Sequence, residues 1–445
     1  MLFKRKVYQK LLEWKKNYGT SYAVLLEGAR RVGKSTIVDE FARNEFKTYI
    51  SVDFSNITSA MSDVFNDVAN LEMFFNRLQL ITGVTLYKGE SAIVFDEIQL
   101  APKVRQAIKH LVADGRYYYI ETGSLISIKK NIKDIVIPSE EHRIQMYPMD
   151  YEEFMWAIGN NTYDVLRDLY RVNKAVGNDV NRKLMRDFRL YMAIGGMPQS
   201  VKAYVDGENF EKIDNIKKEI IALYKDDFRK IDNSGRISKL FEAIPGALSL
   251  NKKRFILSSA LGKRTTRKDK ELFYELLDSK TVLSSYNVTD PSLSLNLTRD
   301  IDSYKLYLTD TGLFTTLIFN SGGNRNIYNQ LLSDKLDINL GYLYENAVAQ
   351  MIASSDRELF YYTWSKEDGP RKYEVDFLLT DKKKIVPIEV KSSSTRYHSS
   401  ITEFSKKYSS KLGNAYLLSQ NDVSSKENLL LKPIYMLPFI LDELN

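Results

Sequence analysis

The chain has 445 residues, too many for one ordinary hydrophobic core, so about two to four domains are expected. Its 44% hydrophobic and 27% charged residues exclude a disordered or membrane-spanning class, and no apolar run reaches the length needed to cross a bilayer. Cysteine is absent, which excludes disulfides and thiol chemistry, and the net charge of +7 (64 basic against 57 acidic residues) is too small to name a partner.

In chain order, the basic segment Met1 to Lys16 lacks a continuous apolar stretch and a small-residue cleavage site, so no signal peptide is read and the cytoplasm is the expected compartment. Within it Val7, Leu11 and Leu12 recur at helical spacing and predict an amphipathic helix over 4–16. The continuous run Tyr22-Ala-Val-Leu-Leu26 reads as a strand buried on both faces. Gly28-Ala-Arg-Arg-Val-Gly-Lys-Ser35 then fits G-x-x-x-x-G-K-[ST] at every fixed position, between that strand and a helix expected from Lys34 to Arg43. The chemistry needs this order: glycines let backbone N–H groups curl around phosphate oxygens, and the helix that follows points its positive end at them. Gly28, Ala29, Arg30, Arg31, Val32, Gly33, Lys34, Ser35 and Thr36 are therefore the expected ATP-binding set. Lys34 would meet the β- and γ-phosphates and Ser35 would ligate Mg²⁺. A chance glycine-rich turn is the alternative, and the flanking strand and helix argue against it.

Tyr49 to Phe54, Ser91 to Phe95 and Tyr117 to Ile120 are further strands, with a helix from Val104 to Val112. Strands alternating with helices imply a doubly wound parallel sheet. Asp96 and Glu97 end the third strand about 60 residues after the glycine-rich loop. Asp96 suits the Mg²⁺ shell and Glu97 the polarisation of an attacking water, the two tasks that hydrolysis requires.

The loop G-A-R-R-V-G-K-S, the Asp96-Glu-Ile-Gln99 sequence and Tyr147-Pro-Met-Asp-Tyr-Glu-Glu-Phe154 resemble a bacterial and archaeal AAA+ ATPase family whose members carry a C-terminal domain of long-unassigned function. Tyr191-Met-Ala-Ile-Gly-Gly-Met-Pro198, Tyr307-Leu-Thr-Asp-Thr-Gly-Leu313 and Gly341-Tyr-Leu-Tyr-Glu-Asn346 look like that domain, so the likeness extends over nearly the whole chain. It implies ATP binding and leaves the biological role open. It also implies a polar sensor after the fourth strand, Thr122 or Ser124, where an ordinary polar turn is the competing reading. Gly196-Met-Pro198 is similar to the Gly-x-Pro element of signal-transducing ATPases, which would bring Pro198 near the adenine and ribose; a helix-breaking turn carries similar weight.

From Tyr151 to about Lys230 the pattern is helical. Phe255 to Asp278 reads as helix, turn, helix, followed by apolar segments at Val282 to Val288 and Tyr304 to Leu308, an order that suits a winged helix. Eight basic residues and one acid, Asp269, lie between Lys252 and Lys270, and a second basic stretch runs from Lys382 to Lys411. Lys263, Arg264, Arg267, Lys268 and Lys270 would crowd the start of a groove-reading helix, against the blander reading of a lid with a solvated basic end.

Val375-Asp-Phe377 and Ile388-Glu-Val-Lys391 resemble the (P)D…(D/E)-x-K signature of restriction-endonuclease-like nucleases, with valine at the position of the customary proline. In a strand Glu389 and Lys391 project to one face. Asp376, 13 residues earlier, would join Glu389 in a hard-oxygen Mg²⁺ site, with Lys391 orienting the water. The resemblance adds Glu345 as a further acid; a charged surface hairpin is the alternative. The expected fold is thus multidomain α/β: a P-loop AAA+ parallel-sheet core over 1–150, a helical lid over 151–235, a winged helix over 236–325 and a nuclease-like domain over 326–445. The expected function is ATP binding and hydrolysis governing a DNA-binding region, with or without DNA cleavage. The alternative is a signalling switch with an inactive nuclease-like module. Expected cofactors are ATP and Mg²⁺, and a homo-oligomer is left open.

Overall fold

The structure is a computed structural model that describes residues 3–125, 135–250, 254–319, 327–332, 340–366, 371–392, 398–426 and 429–444. The chain divides into two compact units, Leu2–Tyr147 with Tyr274–Lys280, and Pro148–Phe273 with Thr281–Asn445. The expected boundaries at 235/236 and 325/326 both fall inside the second unit.

In the first unit, strands β1 (Ala23–Glu27), β2 (Thr48–Asp53), β3 (Ser91–Asp96), β4 (Tyr118–Gly123) and β5 (Glu141–Gln145) form a parallel sheet in the order β2-β3-β4-β1-β5. All five residues of β1 are buried, as a central strand covered on both faces requires. Helices Leu71–Thr82 and Pro102–Asp114 bring Phe74, Phe75, Leu78, Ile108 and Leu111 into one core with Ile93 and Phe95. Each such side chain contributes about 1.5–3 kcal/mol by leaving water. Strand β5 has no apolar run, and of its five residues only Ile144 is buried. It is held by register against β1, from Ala23 opposite Glu141 to Glu27 opposite Gln145. Arg105 clamps its first residue through a bidentate pair to Glu141, at 2.7 and 2.9 Å. Tertiary pairing, not local pattern, makes this segment a strand.

The second unit opens with five helices, Tyr151–Ala157, Tyr163–Arg171, Asn178–Ile194, Pro198–Val205 and Phe210–Ile231. Asp150 starts the first with a capping box: its carboxylate accepts from the Glu153 N–H at 2.9 Å, while the Glu153 carboxylate accepts from the Asp150 N–H at 3.3 Å. Helices Arg236–Glu242, Ile244–Ser249 and Leu257–Leu261 follow, helix Arg267–Asp278 belongs to this unit up to Phe273, and then β6 (Val282–Val288) and β7 (Arg299–Leu308) pair antiparallel. Strands β8 (Leu359–Ser365), β9 (Lys372–Asp381), β10 (Lys384–Val390), β11 (Ala415–Ser419), β12 (Ser424–Lys426) and β13 (Leu429–Pro433) complete an eight-stranded mixed sheet. Its order is β12-β13-β11-β10-β9-β8-β6-β7. The β6–β7 hairpin therefore shares one sheet with the strands that carry Asp376 and Glu389.

The three motif segments of this unit meet in one packing node. The Gly196 N–H donates to Asp310 at 2.6 Å, and the Met149 N–H donates to the Gly196 carbonyl at 2.8 Å. A Cβ on Gly196 would lie 2.0 Å from the Met149 carbonyl oxygen, so only glycine permits the approach. On helix Gly341–Ser354, Asn346 exchanges hydrogen bonds with both backbone groups of Leu308, and Gln350 bridges the Thr311 N–H to the Met149 carbonyl. These buried amides satisfy main-chain groups that no ladder reaches.

Candidate functional site

In the first unit the glycine-rich loop leaves β1 and enters helix Lys34–Glu45. Gly33 has φ +98° and Arg31 φ +71°, the left-handed turns that point successive N–H groups into one hollow. Lys34 is buried, its ammonium donating to the carbonyls of Gly28 and Ala29 at 3.0 Å each. Burial lowers its pKa to about 8 against the opposing pull of Glu97 and Asp96.

Because β4 lies between β1 and β3, its C-terminal end stands between the loop and the acids. The Ser35 hydroxyl donates to Asp96 Oδ1 at 2.9 Å, and the Thr122 hydroxyl donates to the same oxygen. Thr122 Oγ1 also accepts from the Glu97 N–H at 3.2 Å. Glu97 itself has φ +54°, a conformation that costs a residue with a side chain about 1–2 kcal/mol. The Ser124 hydroxyl at 3.0 Å and the Gln99 amide both donate to its carboxylate. These residues fit Mg²⁺: a serine hydroxyl and an aspartate oxygen share one spot, and the other partner of that oxygen is a neutral hydroxyl. Ser35, Asp96, Glu97, Thr122 and Ser124 thus converge at the strand ends, where open parallel sheets bind ligands. Pro198 belongs to the second unit and opens helix Pro198–Val205.

The second unit brings together the C-terminal set. Ile388 pairs with Phe377 at the end of the antiparallel β9–β10 ladder, next to Glu389 and Asp376. Asp376 accepts from the Val390 N–H at 2.9 Å. Glu389 accepts from the Ile401 N–H at 3.1 Å and pairs with Lys391 at 2.5 Å. Burial raises the Glu389 pKa; Lys391 opposes this and Asp376 adds to it. Glu345, also buried, accepts from the Tyr307 hydroxyl at 2.6 Å.

A residue that no sequence motif singles out sits among these acids. Lys305, fully buried on β7, reaches Glu345 at 3.0 Å, Glu374 at 2.8 Å and Asp376 at 3.9 Å. The expected metal set Glu345, Asp376 and Glu389 is accordingly not assembled as one: among the described residues, no group of three or more His, Asp or Glu stands as a ligand set. Of the three, Lys305 bonds Glu345 directly and lies 3.9 Å from Asp376, while Glu389 is paired with Lys391. The available signal was one lysine inside the buried run Tyr304-Lys-Leu-Tyr-Leu308.

In the basic segment Lys263, Arg264, Arg267, Lys268 and Lys270 are all exposed. Asp269, the single acid, is buried and drawn to Arg236 at 2.8 Å and Lys263 at 3.2 Å. Hydrogen bonds from Thr266 are the main reason its carboxyl lies well below the usual range. Lys252 and Lys253 fall outside the described residues, as does 393–397 of the second basic stretch. No helix among the described residues is long and apolar enough to cross a membrane.

Residues 20–155 match the family described as an AAA domain. Residues 185–323 and 340–437 match two families described as domains of unknown function, DUF8612 and DUF4143. An uncharacterized protein of Methanocaldococcus jannaschii is 24% identical over 213 residues, which cover 46% of this chain and 43% of that one. The chain thus spans less than half the length of that relative. Among solved structures, a Walker-type ATPase of Pyrococcus abyssi is 17% identical at a TM-score of 0.45, over 72% of this chain and 96% of its own. A signal-transduction ATPase with numerous domains and a tetratricopeptide-repeat sensor, from Pyrococcus horikoshii, is 9% identical at a TM-score of 0.29, over 80% and 48%.

Proposed function

We propose that the chain is an ATP-hydrolysing AAA protein whose nucleotide state governs a nucleic-acid-binding second unit, with DNA the favoured partner. The observation that carries the enzymatic part is the convergence of Ser35 and Thr122 on Asp96, beside Lys34 and Glu97. Lys34 would meet the β- and γ-phosphates, Ser35 and Asp96 would hold Mg²⁺, and Glu97 would polarise the attacking water. Mg²⁺, when bound, neutralises phosphate charge. Ser124 and Gln99 keep the Glu97 carboxylate oriented, and the strained backbone of Glu97 presents it. Thr36 continues the phosphate-facing start of the helix. A Lys34→Ala protein should lose tight ATP binding, whereas Glu97→Gln should keep binding and lose turnover. Unchanged turnover in Glu97→Gln would remove that residue from its role.

Nucleic-acid binding is supported by the exposed basic cluster on and before helix Arg267–Asp278. The alternative, a signalling switch with a catalytically silent module, is favoured by the position of Lys305. The salt dependence of duplex DNA binding separates the two, because phosphate contacts make affinity fall steeply with salt. A homo-oligomeric state and a cytoplasmic setting belong to the same proposal.

A further inference from the structure

The nuclease-like resemblance implies a divalent cation between Asp376 and Glu389, and the residues present do not fit one. From the buried geometry we infer that Lys305 is the resident cation of this cluster and that the second unit takes no divalent metal there. The inference rests on the nuclease-like reading of β9 and β10.

Three features carry it. The Lys305 ammonium lies 3.0 Å from Glu345 and 2.8 Å from Glu374, distances of direct charge-assisted hydrogen bonds, with Asp376 at 3.9 Å. It is delivered by β7, the strand at the far edge of the same sheet, so its backbone is fixed by the β6–β7 ladder, in which Lys305 lies opposite Ser285. Second, the acids are already engaged. Asp376 accepts from the Val390 N–H, Glu389 from the Ile401 N–H and Lys391, and Glu345 from Tyr307 and Lys305. Third, Mg²⁺ demands several oxygens at about 2.0–2.1 Å in near-octahedral order. An ammonium bonded to Glu345 and Glu374 and 3.9 Å from Asp376 stands beside that space and supplies the charge that would otherwise offset the dehydration of the metal. The same arrangement explains how Glu345, Asp376 and Lys305 are buried together: opposite charges with shared hydrogen bonds are the condition under which ions leave water.

The cluster therefore keeps the shape of a cleavage centre while its charge is closed internally, and the second unit acts by binding. Mn²⁺ titration of the full chain without nucleotide, followed by electron paramagnetic resonance, tests this. The parent and an Asp376→Asn protein should bind Mn²⁺ alike. A one-to-one Mn²⁺ site in the parent that Asp376→Asn removes would overturn the inference. In Lys305→Met the vacated charge should create such a site: Mn²⁺ should raise its melting temperature further than that of the parent. A folded Lys305→Met protein that neither binds Mn²⁺ nor is stabilised by it would also count against the inference. If that variant does not fold, the parent and Asp376→Asn still decide. Duplex DNA binding, measured beside it in metal-free buffer, reads the nucleic-acid proposal separately: its loss sinks that proposal and leaves the cation assignment standing.

Discussion

Each unit sets a lysine and two acids beside one another at the ends or edges of a sheet, and the two arrangements differ in what the lysine touches. In the first unit Lys34 bonds main-chain carbonyls, and Asp96 is met by the hydroxyls of Ser35 and Thr122. In the second, Lys305 bonds carboxylates directly. A carboxylate paired with neutral hydroxyls keeps its charge for an arriving cation, and a hydroxyl readily turns to become a ligand. A carboxylate paired with a buried ammonium is already neutralised, and freeing it would strand two charges in a low-dielectric interior. Similar residue types thus make a site prepared for a ligand in one place and a closed ionic joint in the other.

Matched substitutions probe that contrast most strongly. Glu97→Gln should lower ATP turnover about 10²–10⁴-fold, the usual contribution of a positioned base, while Glu389→Gln leaves it near the parent value. Steady-state ATPase rates of the two proteins check this, and equal losses would break the contrast. The two lysines should separate in the opposite sense under urea. Lys305→Met leaves buried carboxylates without their partner and should cost about 3–5 kcal/mol of stability. Lys34→Ala removes only bonds to carbonyls and should stay within about 1.5 kcal/mol of the parent while abolishing ATP binding.

A third acid sharpens the comparison because it is buried with neither a lysine nor a hydroxyl bonded to it. Glu121 on β4 is fully buried, and neither carboxylate oxygen has a hydrogen-bond partner among the described residues. Burial, and then neighbouring Glu141, push its pKa well above the ordinary value, against the pull of Arg105 and Arg143. The folded protein therefore holds this proton at pH values where the unfolded chain has released it. Stability should fall as pH rises from about 4.5, the unfolded value, toward the folded one, by at most about 1.4 kcal/mol per pH unit for one proton. Below that window both states are protonated and the loss vanishes. Glu121→Gln should flatten the pH dependence of urea midpoints above about pH 5, and an unchanged profile would contradict this reading. The smallest effect is expected at the surface. Reversing Arg267 and Lys268 to Glu should weaken duplex DNA binding and flatten its log–log salt slope by about 0.9 for each phosphate no longer neutralised. If the slope does not move, the basic helix serves as a lid or assembly surface.

Much of the first unit was legible because its signals are local. A glycine-rich loop between a doubly buried strand and a helix can be read along the chain, and the strand at 91–96 and the helices at 34–45 and 102–114 lie where periodicity put them, to within a few residues. Strand β5 was not legible, since its sequence Glu-His-Arg-Ile-Gln becomes a strand only by pairing with β1. In the second unit, period-two alternation expects Glu389 and Lys391 on one face; the two are paired at 2.5 Å, and Asp376 accepts from the Val390 N–H between them. What the sequence by itself determined is therefore which residue types stand at strand ends and which faces they take. The meaning of the acids was decided by Lys305, 71 residues before Asp376 and three strands away in the sheet. Spacing rules describe neighbours along one strand or helix, whereas charge is balanced in space. An ammonium arriving from a distant strand can close a site that looks open in the sequence, and only the order of strands in the folded sheet reveals it.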